Sequence, residues 1–261
     1  MVHCLQRGGD GSSGFFLVFG YTWARIAPLL PKDSRGKARV KAPPFAERHR
    51  PRTEEWRALG RLSTRHLRPE EAPLQSFCAL GGRGIWDGIF SALAGAEDTS
   101  DRLFIDSTCI KVHRCAGGGK GGPWLIGRTK GGRNTKLHAI CDGKGRPLVL
   151  LLTPGNVHDC KPARRCIEAM PPAKELVADK GYDSQALREW LQERGTTAVI
   201  PPRKNRKVQY DHDKAIYKQR NIIERMFCHL KDWRRIATRF DRNVKNFLAA
   251  ITLAAIVIWW L

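Results

Sequence analysis

An α/β fold, a mixed sheet with flanking helices, is predicted for this chain by three observations. From Arg83 onward, short apolar runs of strand length alternate with stretches of helical length. The first three runs follow one another with no helix between them, which implies hairpins. The later runs are separated by helical stretches, which implies parallel crossovers.

The elements follow in order. Trp86 to Leu93 reads as a helix. The strand-like runs are Leu103 to Val112, Leu137 to Cys141, Leu148 to Leu152, Leu176 to Ala178 and Thr197 to Ile200. Helical stretches cover Cys160 to Met170 and Ser184 to Arg194. A basic connector, Arg203 to Lys207, leads to a long predicted helix over Asp213 to Arg235. An apolar terminal helix starts near Arg242. Three strands, helix, strand, helix, strand, helix is the order that a ribonuclease-H-like mixed sheet requires.

The N-terminal third reads differently. Within residues 1–40 the one clear segment is Trp23 to Pro31, whose Trp23, Ile26 and Leu30 suit a short amphipathic helix ended by prolines. Residues 41–82 contain no Val, Ile, Met, Tyr, Asn or Asp, hold five prolines and many Arg and Ala, and show no period. They read either as a low-order basic arm or as an out-of-frame translation of GC-rich DNA.

With 261 residues and 42% hydrophobic content, the chain has enough apolar material for a substantial core. No apolar run reaches the roughly 18 residues of a membrane span, and Phe247 to Leu261 reads as a buried terminal helix. No secretory signal is expected at the start. The eight cysteines form no CxxC, so neither a zinc ribbon nor a disulfide framework is expected, and Cys109, His113 and Cys115 lack a second close pair. Reduced cysteines fit a cytoplasmic protein. Forty-six Lys and Arg against 25 Asp and Glu leave a charge of +21, which points to a polyanionic partner, most simply DNA.

The basic residues gather in two places. Residues 114–136 carry Arg114, Lys120, Arg128, Lys130, Arg133 and Lys136 among eight glycines, with no acid. They read as a flexible cationic loop able to hold a phosphate backbone. The order of a P-loop is missing. Residues 203–245 hold 14 Lys or Arg against 5 Asp or Glu.

On a helix over Asp213 to Arg235, Ile216, Ile223, Phe227 and Leu230 share one stripe. Tyr217, Arg220, Glu224 and Lys231 fall within about 60° beside it, a row that is either a solvated face or the rim of a cleft. Two more carboxylates adjoin predicted strands. Asp106 lies inside the first, where burial is costly without a cation or an opening. Asp179 ends the fourth, as a turn residue or as a ligand beyond a strand end. His158-Asp159 follows the third strand, as a polar contact or as a helix cap. Three carboxylates in a strongly basic chain suit a centre holding two Mg²⁺ or Mn²⁺ ions, which prefer carboxylate oxygens and act on phosphodiesters. No activated Ser or Tyr nucleophile stands out.

Asp106, Asp179 with Gly181-Tyr182, and the Tyr217-x2-Arg220-x3-Glu224-x6-Lys231 spacing resemble the DDE transposases of bacterial insertion sequences, in the group named after insertion sequences four and five. Arg83-Gly-Ile-Trp86, the Gly117 to Lys136 loop and Gly155 to Asp159 match too. The resemblance covers about 83–261 and Trp23 to Pro31. It implies a ribonuclease-H-like catalytic domain over 83–261, and catalytic, metal-binding roles for Asp106, Asp179 and Glu224. It also implies DNA or site-ordering contacts by Tyr217, Arg220 and Lys231. The enzyme would cut element ends and join 3′-hydroxyls to target DNA, working as a homodimer or larger on DNA. Family members carry a helix-turn-helix-like segment where 41–82 stands, so a frameshifted remnant of it is one reading, leaving an inactive copy. A metal-dependent nuclease of the same fold and a decayed DNA-binding protein are the rivals. A cationic membrane-surface protein is the remaining alternative.

Overall fold

The computed structural model describes residues 81–95, 101–117, 124–206 and 209–260, with Pro28. The remainder of segments 1–40 and 41–82, and Lys120 within 118–123, lie outside the described residues, so the expectations for them are untouched.

A seven-stranded mixed sheet carries the molecule. Strand β1 (Arg102–Val112) lies antiparallel to β3 (Gly132–Cys141), and β3 antiparallel to β4 (Pro147–Pro154). On the other side of β1, β5 (Glu175–Val177) and β6 (Thr197–Val199) add in parallel. The main order is therefore β4-β3-β1-β5-β6, three antiparallel strands followed by two parallel ones. That is the ribonuclease-H-like arrangement which the element order predicts. Short β2 (Gly127–Thr129) pairs the start of β3, and β7 (Thr238–Arg239) pairs the end of β1.

Helices cover both faces. On one lie α1 (Ile85–Gly95), α5 (Asn221–Lys231) and α7 (Val244–Trp259), packed on Phe104, Ile110, Leu137, Ala139 and Val177. On the other lie α2 (Cys160–Glu168) and α3 (Gln185–Glu193), packed on Leu103, Ile105, Ile140, Leu176 and Ala178. Because both faces are covered, these strands read as near-continuous apolar runs. The period of two decides what the polar residues face. Asp106 follows Phe104 on the α5 face, and Ser107 follows Ile105 on the α2 face.

The structure corrects two expectations. The long helix over Asp213 to Arg235 is broken into α4 (Lys214–Lys218), α5 and the short α6 (Arg234–Ala237). Between α4 and α5 the backbone tightens: the N–H groups of Gln219, Arg220 and Ile222 donate to the carbonyls of Ile216, Tyr217 and Gln219, three residues back. Trp233 is extended and ends α5 outright. The apolar stripe survives the break, since Ile223, Met226, Phe227 and Leu230 are buried. At about 1.5–3 kcal/mol for each fully buried side chain, that stripe seats α5 on the sheet and sets its polar edge.

The cationic stretch is also less loose than expected. Residues 127–136 form a hairpin, with Arg128 opposite Arg133 and Thr129 opposite Gly132. Gly132 takes φ +97°, a conformation that favours glycine at the turn. The terminal apolar stretch is the buried helix that was expected, with Phe247, Ile251, Ala254 and Ile256 in the core. No helix among the described residues is long and apolar enough to cross a membrane.

Candidate active site

Asp106 sits mid-strand on the α5 face with its carboxylate mostly buried. Its Oδ1 accepts from the N–H of Ser107 at 2.7 Å, and its Oδ2 accepts from Arg220 Nη1 at 2.6 Å. The same guanidinium donates through Nη2 to Glu224 Oε1. One Arg therefore joins a strand carboxylate to a helix carboxylate. The tightened backbone before α5 places Arg220, and one helical turn separates it from Glu224. A hydrogen bond of 2.6 Å from Arg102 Nη1 to Gln219 Oε1 ties that junction to the start of β1.

Asp179 lies just past β5, and by strand alternation it continues the row of Val177 on the α5 face. Its Oδ1 accepts from the N–H of Gly181 at 2.8 Å and caps the 3₁₀ turn Lys180–Tyr182. The turn reading of Asp179 is thus correct. It does not exclude the ligand reading, because Oδ2 keeps no hydrogen-bond partner among the described residues. A Cβ on Gly181 would lie 2.7 Å from Asp179 Oδ1, so any side chain there would push that carboxylate aside.

The three acids share one electrostatic neighbourhood. Burial pushes the Asp106 carboxyl up to about 6, with the negative charge of Asp179 adding to the rise. The Ser107 N–H and Arg220 oppose it. Among the described residues no group of three His, Cys, Asp or Glu is drawn close enough to hold a metal ion as it stands. The Arg220 guanidinium lies between Asp106 and Glu224, in the role of a cation. The donor set fits Mg²⁺ or Mn²⁺: it is carboxylate oxygen throughout, and a cation beside Asp106 would offset the burial that disfavours its ionised form.

Lys231 reaches the same strand face, donating to Thr108 Oγ1 at 2.5 Å and to the Cys109 carbonyl at 3.4 Å. Tyr217 is half-buried, its ring edge-on to His212 at 5.5 Å. The row Tyr217, Arg220, Glu224 and Lys231 is therefore the rim of the sheet face that carries Asp106. The other predicted cations divide. Arg128 and Lys130 are exposed on the hairpin, and Arg133 Nη1 donates to the Gly117 carbonyl at 2.7 Å. Lys136 is drawn inward instead, donating to the Val157 carbonyl at 2.8 Å and to Asp159 Oδ1 at 2.9 Å.

Two groups beside the site were only weakly signalled by sequence. Asp159, equally readable as a helix cap, makes no side-chain cap. It accepts from Ser107 Oγ at 2.5 Å and from Lys136. Burial pushes its carboxyl up, but these bonds prevail and hold it below its ordinary value. The neighbour of Asp106 is thereby fixed from the opposite face. Asp183, two residues past Gly181, is fully buried and anchors the basic connector. Its one sequence signal was an acid at a strand exit in a chain rich in arginine.

A family model described as "Transposase DDE domain" matches residues 97–260, more than half of the chain. Among curated relatives, a transposase assigned to insertion sequence element IS6501 of Brucella ovis is 35% identical over 126 residues, covering 48% of this chain and 97% of that protein. One assigned to element IS402 of Burkholderia cepacia is 32% identical over 182 residues, covering 65% of this chain and 83% of that protein. A solved piggyBac transposase, in a synaptic complex with hairpin DNA, is distantly similar at 12% identity and a TM-score of 0.47. That likeness spans all of this chain and 68% of the other. By its family match and by the two curated insertion-sequence relatives, the chain belongs to the DDE transposases of insertion sequences, enzymes of DNA cleavage and strand transfer.

Proposed function

We propose that Asp106, Asp179 and Glu224 are the carboxylates through which this transposase cuts the ends of its element and joins the 3′-hydroxyls to target DNA. The observation that carries this is the meeting of Asp106 and Glu224 on one guanidinium, with Asp179 raising the pKa of Asp106. The three would hold Mg²⁺ or Mn²⁺, two ions in the fullest form. Bound ions of this kind ease deprotonation of the attacking water or hydroxyl and neutralise charge on the phosphate.

The remaining work belongs to this chain's own side chains. Arg220 bridges the acids in the free protein. Its planar fork also has the geometry to hold a phosphate in two hydrogen bonds. Lys231, tied to Thr108, presents a fixed positive charge beside the same strand. Arg128, Lys130 and Arg133 on the hairpin hold backbone phosphates. Lys136 keeps Asp159, and with it Ser107, in place. The catalytic domain comprises 83–261, with the basic segment 41–82 ahead of it. The protein acts on nucleoid DNA in the cytoplasm, as a dimer or larger.

The test uses purified full chain and duplex DNA carrying the element's own ends, with Mg²⁺ or Mn²⁺. Metal-dependent nicking and joining of 3′ ends, abolished by a chelator, is the expected result. Nicking without joining would make it a nuclease of the same fold. Binding with neither would make it a decayed DNA-binding protein.

A further inference from the structure

An open cleft of about 710 Å³ lies against Asp179, walled on one side by Lys180 and Gly181 and on the other by Arg203, Lys204 and Arg206. Its far wall is built rigidly. The buried Asp183 carboxylate accepts from Arg188 Nε at 2.9 Å, from Arg206 Nη1 at 2.7 Å and from the N–H of Arg203 at 2.9 Å. The Tyr210 ring packs against the guanidiniums of Arg188 and Arg206, 4.5 and 4.8 Å from its centre. Arg188 and Arg206 are therefore already balanced by an acid and a ring.

The other cations of the cleft are not. The Arg203 guanidinium is held by two neutral carbonyls, those of Lys180 at 3.1 Å and Gly181 at 2.9 Å, which fix its position and leave its charge uncompensated. Lys180 and Lys204 are exposed, and among the described residues their ammonium groups have no partner. Three unbalanced positive charges thus rim a cleft whose floor reaches a proposed catalytic acid.

We propose that this cleft seats the phosphodiester backbone of the DNA strand, at phosphates next to the bond held at Asp179. The inference rests on the transposase reading and adds a subsite to it. Lys180, Arg203 and Lys204 supply the charge, and the Asp183 cluster holds the connector at the right distance. Contacts made by these charges to phosphates carry no sequence information, so the cleft reads backbone.

The test compares the full chain with its Lys180→Gln/Lys204→Gln double variant, by fluorescence anisotropy on a short DNA duplex across a salt series without divalent ions. The expected result is affinity lower by about tenfold at low salt, and a slope of log affinity against log salt reduced by about two, one for each lost phosphate contact. The Lys180→Arg/Lys204→Arg variant restores both. Lys174→Gln, at the opposite end of β5, leaves the slope unchanged. A methylphosphonate at a phosphate neighbouring the cut weakens binding of the parent chain and adds no further loss in the double variant. An unchanged slope, or a methylphosphonate loss that adds to the lysine loss, overturns the cleft proposal while the transposase reading stands. Failure of the parent chain to bind DNA at all overturns both.

Discussion

Asp106 is the least comfortable side chain in the sheet. Its burial penalises the ionised form, and only the Ser107 N–H and Arg220 oppose that penalty. Removing Arg220 leaves the acids without their internal counter-ion. Arg220→Ala should therefore bind Mn²⁺ more tightly in the absence of DNA, by about tenfold, since a close cation is worth a few kcal/mol near a protein surface. Its DNA binding should weaken, with the salt slope reduced by about one. Mn²⁺ titration followed by electron paramagnetic resonance checks the first effect, and equal affinity in the two proteins would refute the counter-ion role. Gly181→Ala forces its Cβ against Asp179 Oδ1. Joining activity should drop by about tenfold or more while DNA affinity is kept, because small displacements at a reacting centre are costly. Unchanged joining would show that the turn does not set the Asp179 carboxylate.

Among the elements, the joints decide the geometry. A Cβ on Gly127 would lie 2.7 Å from the backbone nitrogens of Gly155 and Asn156, and one on Gly155 would lie 2.8 Å from the Asn134 carbonyl oxygen. These glycines let the β2–β3 hairpin press on the exit of β4. Gly127→Ala and Gly155→Ala should each cost about 1–3 kcal/mol, visible as a lowered midpoint in urea, and full stability in both would contradict the close packing. The sheet itself was legible in the sequence, because strands buried on both faces give apolar runs and the spacing of helices separates hairpins from crossovers. The break before Arg220 was not, since neither glycine nor proline marks it and a tertiary bond from Arg102 holds Gln219. The start of β3 was missed for a related reason: residues 132–136 are polar and open on a glycine, and pairing with β1 and β2 makes them strand. The candidate acids were legible as an Asp within an apolar run, an Asp at a strand end, and a helical row. The meeting of Asp106 and Glu224 on Arg220 was not, because it depends on α5 crossing β1.

At the scale of the whole molecule, a charge of +21 is carried on a fold whose interior also holds ionisable groups. His138, on the face opposite Asp106, is almost fully buried, and its Nε2 meets Thr153 Oγ1 at 2.8 Å. Burial lowers its pKa to about 4. The unfolded chain therefore binds this proton more readily than the folded one. The contribution to stability is full above the ordinary histidine value near 6.5 and is lost as pH falls toward 4. It amounts to about 2–3 kcal/mol. His138→Gln should flatten the pH dependence of urea unfolding in that window, and an unaltered slope would contradict the burial argument. The measurement closest to the central claim is metal-dependent strand joining by Asp106→Asn, Asp179→Asn and Glu224→Gln, alongside the parent protein on the element's own ends. Each substitution should lower joining by about a thousandfold or more, as for members of one catalytic unit, while DNA binding persists. Joining at the parental rate by any one of the three would contradict the account.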